Sequence, residues 1–303
     1  MAGLIHAYAG RDDRVSTVDS RILIRPRLSS RVMLWLPVSI VALYAVVAIL
    51  APWLIPYDAQ ATSVVDRLLP PGTVTSSGTT ALLGTDQVGR DVFAQIVHGA
   101  RVSMLVGALS LLVGGLFGVV LGTIAGYFRG AADAIIMRLA DIQLAFPSIL
   151  LAVFIAAVLG PSVMNVILTL AITNWPIFAR VARGQAASTR DRDFANAART
   201  LGASDWYLIR HVVSPAVLSP ILVIATVQFG FVVIGEASLS FLGLGVPTGT
   251  ASWGATIANG REYLDSAWWI STIPGVALVI LVTAAGILGD RLRDVLDPHH
   301  VNS

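Results

Sequence analysis

The 303-residue chain is 55% hydrophobic and only 13% charged, and its mean hydropathy is +0.77. A soluble domain carries about a quarter of its residues as charged side chains, so this composition is typical of a protein whose main solvent is lipid. The net charge of +2 does not indicate nucleic-acid binding, the absence of Cys excludes disulfides and Cys-ligated metals, and the absence of Lys excludes a phosphate-binding loop of the G-x-x-x-x-G-K-[ST] type.

Six stretches are apolar and long enough to be transmembrane helices, which need roughly 20 such residues. The first spans residues 32–51 and is followed by Pro52 and Pro56. The uncharged run 142–179 is too long for one span, and Gly160-Pro161-Ser162 divides it because Pro cannot continue a helix and Ser can cap the next one. The other predicted spans are a stretch within 102–128, a helix from Pro215 to about residue 237, and 267–289.

The arginines indicate how these spans are oriented. Sixteen of the twenty lie before the first span, between spans two and three, between spans four and five, or after the sixth, whereas four lie in the alternate loops. The positive-inside rule therefore predicts that both termini are cytoplasmic. The predicted organisation is a cytoplasmic segment 1–31, a first span with an external loop (32–99), a core (100–298) and a tail (299–303). The first span exceeds the apolar region of a cleaved signal peptide, so we expect it to be retained.

The loop 180–214 is the only sizeable polar segment predicted on the cytoplasmic side. Asp193 is a suitable N-cap for a helix over 194–201, and Gly202 is suited to the left-handed residue that ends it. Ser204 can cap a second short helix, which Pro215 is expected to stop. From these residues alone, the loop is either an amphipathic connector on the membrane surface or a docking element.

Several motifs carry a resemblance to a known family. Asn196-Ala197-Ala198, followed by Gly202 and Pro215, resembles the EAA motif of ABC importer permeases. An ordered set of further segments resembles the dipeptide/oligopeptide branch of that family and covers about residues 32–298. These segments are 83–91 (LGTDQVGRD), Asp141 with 144–147 (LAFP), 236–245 (EASLSFLGLG), 252–254 (SWG) and 289–298 (GDRLRDVLDP).

The resemblance implies an all-α polytopic protein of six transmembrane helices with the type I ABC importer permease fold. It also implies a place in the cell membrane, a second homologous permease subunit, two ATPase subunits and an external substrate-binding protein as partners. ATP would be bound by the ATPases, so this chain needs no cofactor or metal and performs no chemistry on the peptide it transports. The ATPase-coupling residues would be Asp193, Asn196, Ala197, Ala198, Gly202 and Pro215.

Asn196 departs from the family pattern, which typically has Glu at this position, and Asp193 one turn earlier is expected to supply part of the missing charge. The alternatives are a self-contained secondary transporter or channel, and an ABC importer for a nickel chelate or glutathione. Glu236 is costly to place in a membrane, so we expect it either to accept hydrogen bonds and fix the outer gate, or to line the path and bind the peptide amino terminus. Asp86 and Arg90, at positions i and i+4, are expected to order a short helix, and the alternative is that Asp86, Arg90 and Asp91 dock the binding protein.

Overall fold

The computed structural model describes residues 29–55, 58 and 62–296, so residues 1–28 and the predicted tail 299–303 lie outside it. The described chain is mainly helical, with one small antiparallel pair of strands, β1 (Thr73–Val74) and β2 (Thr80–Ala81). The helices are α1 (Ser29–Leu54), α2 (Val92–Phe128), α3 (Gly130–Leu144), α4 (Ser148–Leu159), α5 (Val163–Arg190), α6 (Asp193–Thr200), α7 (Asp205–Leu208), α8 (Ser214–Phe241), α9 (Trp253–Gly260) and α10 (Trp269–Leu296).

Among the described residues, five helices (α1, α2, α5, α8 and α10) are long and apolar enough to cross a membrane. The α3–α4 pair qualifies as a sixth span, but the two helices meet at 90°. The expected single helix for the third span is therefore wrong. The chain bends before Pro147, because a proline disfavours helical geometry in the residue that precedes it. Pro52 lies inside α1 and does not end it, and the predicted boundary between residues 99 and 100 falls within α2.

The tightest helix contact joins α2 to α5. It depends on a glycine at every fourth position of α2 between residues 114 and 126. A Cβ atom built at any of these glycines would lie only 2.1–2.6 Å from a backbone carbonyl oxygen of α5. Such close backbone approach is the packing that small-xxx-small stripes allow in membranes. The facing pairs are Gly114 with Ala171, Gly118 with Trp175, Gly122 with Ala179, and Gly126 with Arg183.

A proline inside α5 leaves one carbonyl of that helix without its usual donor. Pro176 has no N–H, so the carbonyl of Ile172, four residues earlier, cannot form its helical hydrogen bond. Gln143 of α3 fills this gap, because its Nε2 donates to the Ile172 oxygen at 2.7 Å. Trp175 Nε1 in turn donates to Gln143 Oε1 at 2.8 Å. A side chain of a neighbouring helix thus provides the missing hydrogen bond to the Ile172 carbonyl, as the apolar interior of a membrane requires.

The connections form two polar ends, which we call the α6 end and the α9 end after the short helix at each. The α6 end contains α6, α7 and the junctions of α2 with α3 and α5 with α6. The α9 end contains α9 and the loop 62–91. In that loop Asp66 accepts hydrogen bonds from Ser76 and Ser63, which hold the pKa of its carboxyl below the usual value. The carboxylate therefore stays ionised at neutral pH and ties the β1–β2 turn to the start of the loop.

Candidate functional site

The α6 end presents a two-turn helix, α6, that ends in a tight cap. Gly202 has φ +89°, the left-handed conformation predicted for it. Its N–H donates to the carbonyl of Arg199, and the N–H of Ala203 donates to the carbonyl of Ala198 at 3.0 Å. These two hydrogen bonds define a Schellman motif, which closes the helix and turns the chain toward α7. Ser204 caps α7 as predicted, since its Oγ accepts from the Tyr207 N–H.

Two details of α6 differ from the sequence prediction. The helix begins at Asp193 and its N-cap is Arg192, so Asp193 is a first-turn residue and the predicted cap is wrong. A carboxylate there still interacts favourably with the positive end of the helix dipole. Asn196 is exposed, and its Oδ1 accepts a hydrogen bond from Arg199 Nη1 at 3.0 Å within the same helix.

Pro215 does not stop the helix before it, contrary to the prediction. A π-helical turn over residues 209–213 joins α7 to α8, and the N–H of Ser214 donates to the carbonyl of Ile209, five residues earlier. Pro215 then lies in the first turn of α8, where a missing N–H costs little. Asp193, Asn196, Ala197, Ala198 and Gly202 are therefore grouped on α6 and its cap, while Pro215 belongs to the next long helix.

Large apolar side chains are exposed on this end of the chain. Phe194 is 53% exposed and Leu201 is 89% exposed, and Trp206 is also mostly accessible. Ala195 of α6 is buried, and Leu208 of α7 is buried in a cluster with residues of α2, α5 and α8. Exposed apolar groups on a short polar segment are typical of a surface that another protein covers.

Glu236 lies near the other end of α8 and is completely buried. Its Oε1 accepts hydrogen bonds from the hydroxyls of Ser240 and Ser252, and its Oε2 accepts one from Ser103, all at 2.8 Å. These hydroxyls come from α8, from the residue before α9 and from α2 respectively. The carboxylate therefore joins three elements at the α9 end, in agreement with the expected hydrogen-bonding role.

The Ser-Trp-Gly segment packs directly beside this carboxylate. Ser252 donates to it, and Trp253 is buried with its Nε1 donating to the Ile96 carbonyl at 3.0 Å. A Cβ atom at Gly254 would lie 2.0 Å from the Ala237 carbonyl oxygen, so only glycine allows α9 to approach α8 this closely. Each residue of the motif thus has a separate packing role.

The segment 83–91 folds into a compact turn and does not form the expected short helix. Asp86 is only 1% exposed, and its carboxylate accepts from the N–H groups of Val88 and Arg90, from Arg90 Nε at 2.8 Å and from Gln95 Nε2 at 2.9 Å. Asp86 and Arg90 form an ion pair within this turn, which an isolated bridge between Thr85 and Asp91 closes. Asp91 caps α2 by accepting from the Phe93 N–H at 2.9 Å.

Sequence reasoning missed the glycine stripe of α2, one feature of the α9 end and one of the α6 end. The glycine stripe of α2 carries a recognisable signal, since G-x-x-x-G within an apolar stretch predicts a helix-packing face. No local signal identifies Ser103 as a partner of Glu236, because 133 residues separate them. The same is true of Tyr127, whose hydroxyl donates to Asp205 across 78 residues.

Comparison with known proteins identifies the family to which the chain belongs. The sequence profile of the "Binding-protein-dependent transport system inner membrane component" family matches residues 118–300. The chain is 40% identical over 256 residues to the Di/tripeptide transport system permease protein DppC of Pseudomonas aeruginosa, covering 84% of each chain. It is also 40% identical over 259 residues to the Probable D,D-dipeptide transport system permease protein DdpC of Escherichia coli, covering 86% of this chain and 85% of that one.

A third relative is the Glutathione transport system permease protein GsiD of Pectobacterium atrosepticum, 39% identical over 260 residues, which cover 85% of this chain and 84% of that one. The fold resembles that of a chain in the MetNI methionine ABC transporter, solved in inward-facing conformations. The TM-score is 0.54 at 21% identity, covering 67% of this chain and 96% of that chain. This likeness confirms the expected type I importer permease fold. The chain belongs to the family of inner membrane components of binding-protein-dependent transport systems.

Proposed function

We propose that this chain is one of two homologous permease subunits that together enclose the path of an ATP-driven peptide importer. The observation that carries the proposal is α6, a short capped helix at the end of the bundle with exposed apolar side chains around it. In this function α6 docks on a separate ATPase subunit, and movement of that subunit moves the permease helices. The names of the di/tripeptide and D,D-dipeptide relatives support a peptide as the transported substrate.

In this proposal the α6 end faces the cytoplasm and the α9 end faces outward. The distribution of arginines supports this orientation, because sixteen of twenty lie in the sequence segments that the positive-inside rule predicts to be cytoplasmic, and the loop that carries α6 is one of these segments. Two ATPase subunits bind at the α6 end of the two permeases, and a binding protein delivers peptide at the α9 end. Arg90 and Asp91, which are partly exposed there, belong to the docking region, whereas the Asp86 carboxylate is buried and hydrogen-bonded to the turn and to Gln95 of α2.

ATP is bound by the partner subunits in this assignment. The chain contains no Lys, and a phosphate-binding loop of the Walker type requires one. We therefore expect the purified chain alone in sealed vesicles to neither hydrolyse ATP nor move peptide. The complex with the second permease, the ATPases and the binding protein should do both. Peptide flux through the lone chain, driven by a proton gradient, would instead identify a self-contained secondary transporter.

The glutathione relative provides a second candidate substrate, which the same vesicles distinguish. Uptake of a labelled dipeptide should be reduced by unlabelled di- and tripeptides and be little affected by glutathione at equal concentration. Selective competition by glutathione would assign the chain to a glutathione importer. Nickel chelates are tested in the same way.

Replacement of Gly202 tests the coupling role of α6. A Cβ atom built at Gly202 has no neighbour within 4 Å beyond the adjacent residues, so we expect Gly202→Val to act mainly through its backbone preference. A β-branched residue disfavours positive φ, and we expect a cost of about 1–2 kcal/mol that opens the Schellman motif. Transport should fall severalfold while insertion into the membrane is unchanged.

The matched control is Gly184→Ala in α5, where a Cβ also has no neighbour within 4 Å but φ is helical. Alanine is favoured over glycine in a helix, so this variant should transport normally. Cross-linking of a cysteine at Ala198 to an ATPase subunit measures docking directly. Unchanged uptake together with unchanged cross-linking in Gly202→Val would contradict the docking role of this loop.

A further inference from the structure

Tyr127 lies in the last turn of α2 and is almost completely buried, with 2% of its surface exposed. Its hydroxyl donates a hydrogen bond to Asp205 Oδ1 at 2.6 Å. Asp205 is the first residue of α7. A buried phenol requires a polar partner, and a hydrogen bond to a carboxylate is among the stronger kinds. The end of a membrane-spanning helix is thereby joined to the loop that carries α6.

The ring of the same tyrosine contacts two further parts of this loop. The guanidinium carbons of Arg190 and Arg199 lie over it, 5.5 and 5.7 Å from the ring centroid. Arg190 is the last residue of α5, and Arg199 belongs to α6. Guanidinium groups at this distance are attracted to the face of an aromatic ring. One side chain therefore contacts α5, α6 and α7.

Arg199 extends this connection to the motif residue of α6. Its Nη1 donates to the carbonyl of Arg190 at 3.1 Å and to Asn196 Oδ1 at 3.0 Å. Asn196 occupies the first position of the Asn-Ala-Ala segment. Displacement of α6 must therefore either move the tyrosine ring or break these contacts.

The two helices that hold the ring in place are packed tightly against each other. The glycine stripe brings the backbones of α2 and α5 so close together that a Cβ atom at any of its four glycines would overlap a carbonyl oxygen of α5, and we therefore expect the two helices to move together. Asp205 does not belong to this pair of helices. It lies on α7, which continues through the π-helical turn into α8. The hydroxyl of Tyr127 is thus a hydrogen-bonded link between the α2–α5 pair and the segment that leads into α8.

We propose that Tyr127 is a positioning residue for energy coupling: it fixes α6 and α7 on the ends of α2 and α5, so that displacement of α6 moves the membrane helices. The proposal rests on the proposed ATP-driven function. It adds a side chain within the permease that transmits the displacement, and it assigns separate parts to the hydroxyl and to the ring.

Tyr127→Phe tests the part of the hydroxyl, because it keeps the ring beneath both arginines and removes the hydroxyl together with its hydrogen bond to Asp205. The assembled complex should hydrolyse ATP at its normal basal rate, while the peptide transported per ATP falls about tenfold, as expected for the loss of a hydrogen bond to a charged acceptor. Tyr263→Phe makes the same change at the α9 end and should leave this ratio unaltered. Asp205→Asn keeps an acceptor oxygen and should retain most of the coupling.

A double-mutant cycle separates this role from general stability. Asp205→Ala should lower peptide per ATP as much as Tyr127→Phe, and the double variant should show no further loss, because both remove one hydrogen bond. An unaltered ratio in Tyr127→Phe overturns the proposal, and so does equal loss of assembly, hydrolysis and transport. Failure of the proposed function is distinguishable, since the unmodified complex would then show no peptide-dependent ATP hydrolysis.

Discussion

Gly122→Ala is expected to destabilise the folded protein by about 3 kcal/mol, because overpacking a fixed helix contact forces the backbones apart. A Cβ at this position would lie 2.1 Å from the Ala179 carbonyl oxygen. The oxygen belongs to the backbone and cannot rotate away, so α2 and α5 must separate by roughly 1 Å along the stripe. The separation that relieves the overlap at position 122 also loosens the contacts of Gly118 and Gly126 with α5.

The measurement is the fraction of protein that remains monodisperse after heating in detergent. Gly286→Ala in α10 is the matched control, because it lies in a membrane-spanning helix and a Cβ there has no neighbour within 4 Å. Its free energy of unfolding should lie within about 1 kcal/mol of that of the parent protein. Equal stability of the Gly122 and Gly286 variants would mean that the α2–α5 contact is not tight in the folded protein.

Glu236→Leu is expected to be the most damaging change at the α9 end. It leaves the hydroxyls of Ser103, Ser240 and Ser252 buried without their common acceptor. Each unsatisfied buried group costs about 1–3 kcal/mol, so the loss is on the order of 3 kcal/mol or more. The yield of folded complex after extraction from the membrane should fall accordingly.

Glu236→Gln separates a structural carboxylate from one that binds substrate. The amide keeps the shape, its oxygen accepts from two serines, and its NH₂ can donate to the third, since a hydroxyl also accepts. Because the carboxylate is buried and occupied by hydroxyls, we expect near-normal assembly and uptake of free-amine peptides. Selective loss of free-amine uptake, with N-acetylated peptides unaffected, would instead assign Glu236 to the peptide amino terminus.

Local sequence signals predict most of the helices but not their contacts. Five of the six predicted spans follow the apolar runs directly, and Gly202 has the predicted left-handed backbone. The prediction of the third span is wrong because it places a single break, Gly160-Pro161-Ser162, in the apolar run 142–179, whereas Pro147 also interrupts that run. Both prolines are visible in the sequence, but their geometric effect depends on how neighbouring helices satisfy the freed backbone groups.

The candidate site was predicted only in part for a related reason. The motif residues of α6 are contiguous, so a short helix and its cap follow from local preferences. Tyr127 and Ser103 acquire their roles from partners 78 and 133 residues away. Such pairings form only when distant parts of the chain pack together. Hydrophobic periodicity describes local structure, so it does not predict them.

The bridge between Gln143 and the proline gap of α5 has a consequence for how the third span and α5 can move. The Ile172 carbonyl has no donor in its own helix, so a shift of α3 away from α5 leaves that oxygen unsatisfied in an apolar medium. One hydrogen bond therefore joins the third span, which bends before Pro147, to the proline gap of α5. We expect the part of α3 that carries Gln143 to stay with α5 when the third span moves, because separation would leave the Ile172 carbonyl without a donor in an apolar medium.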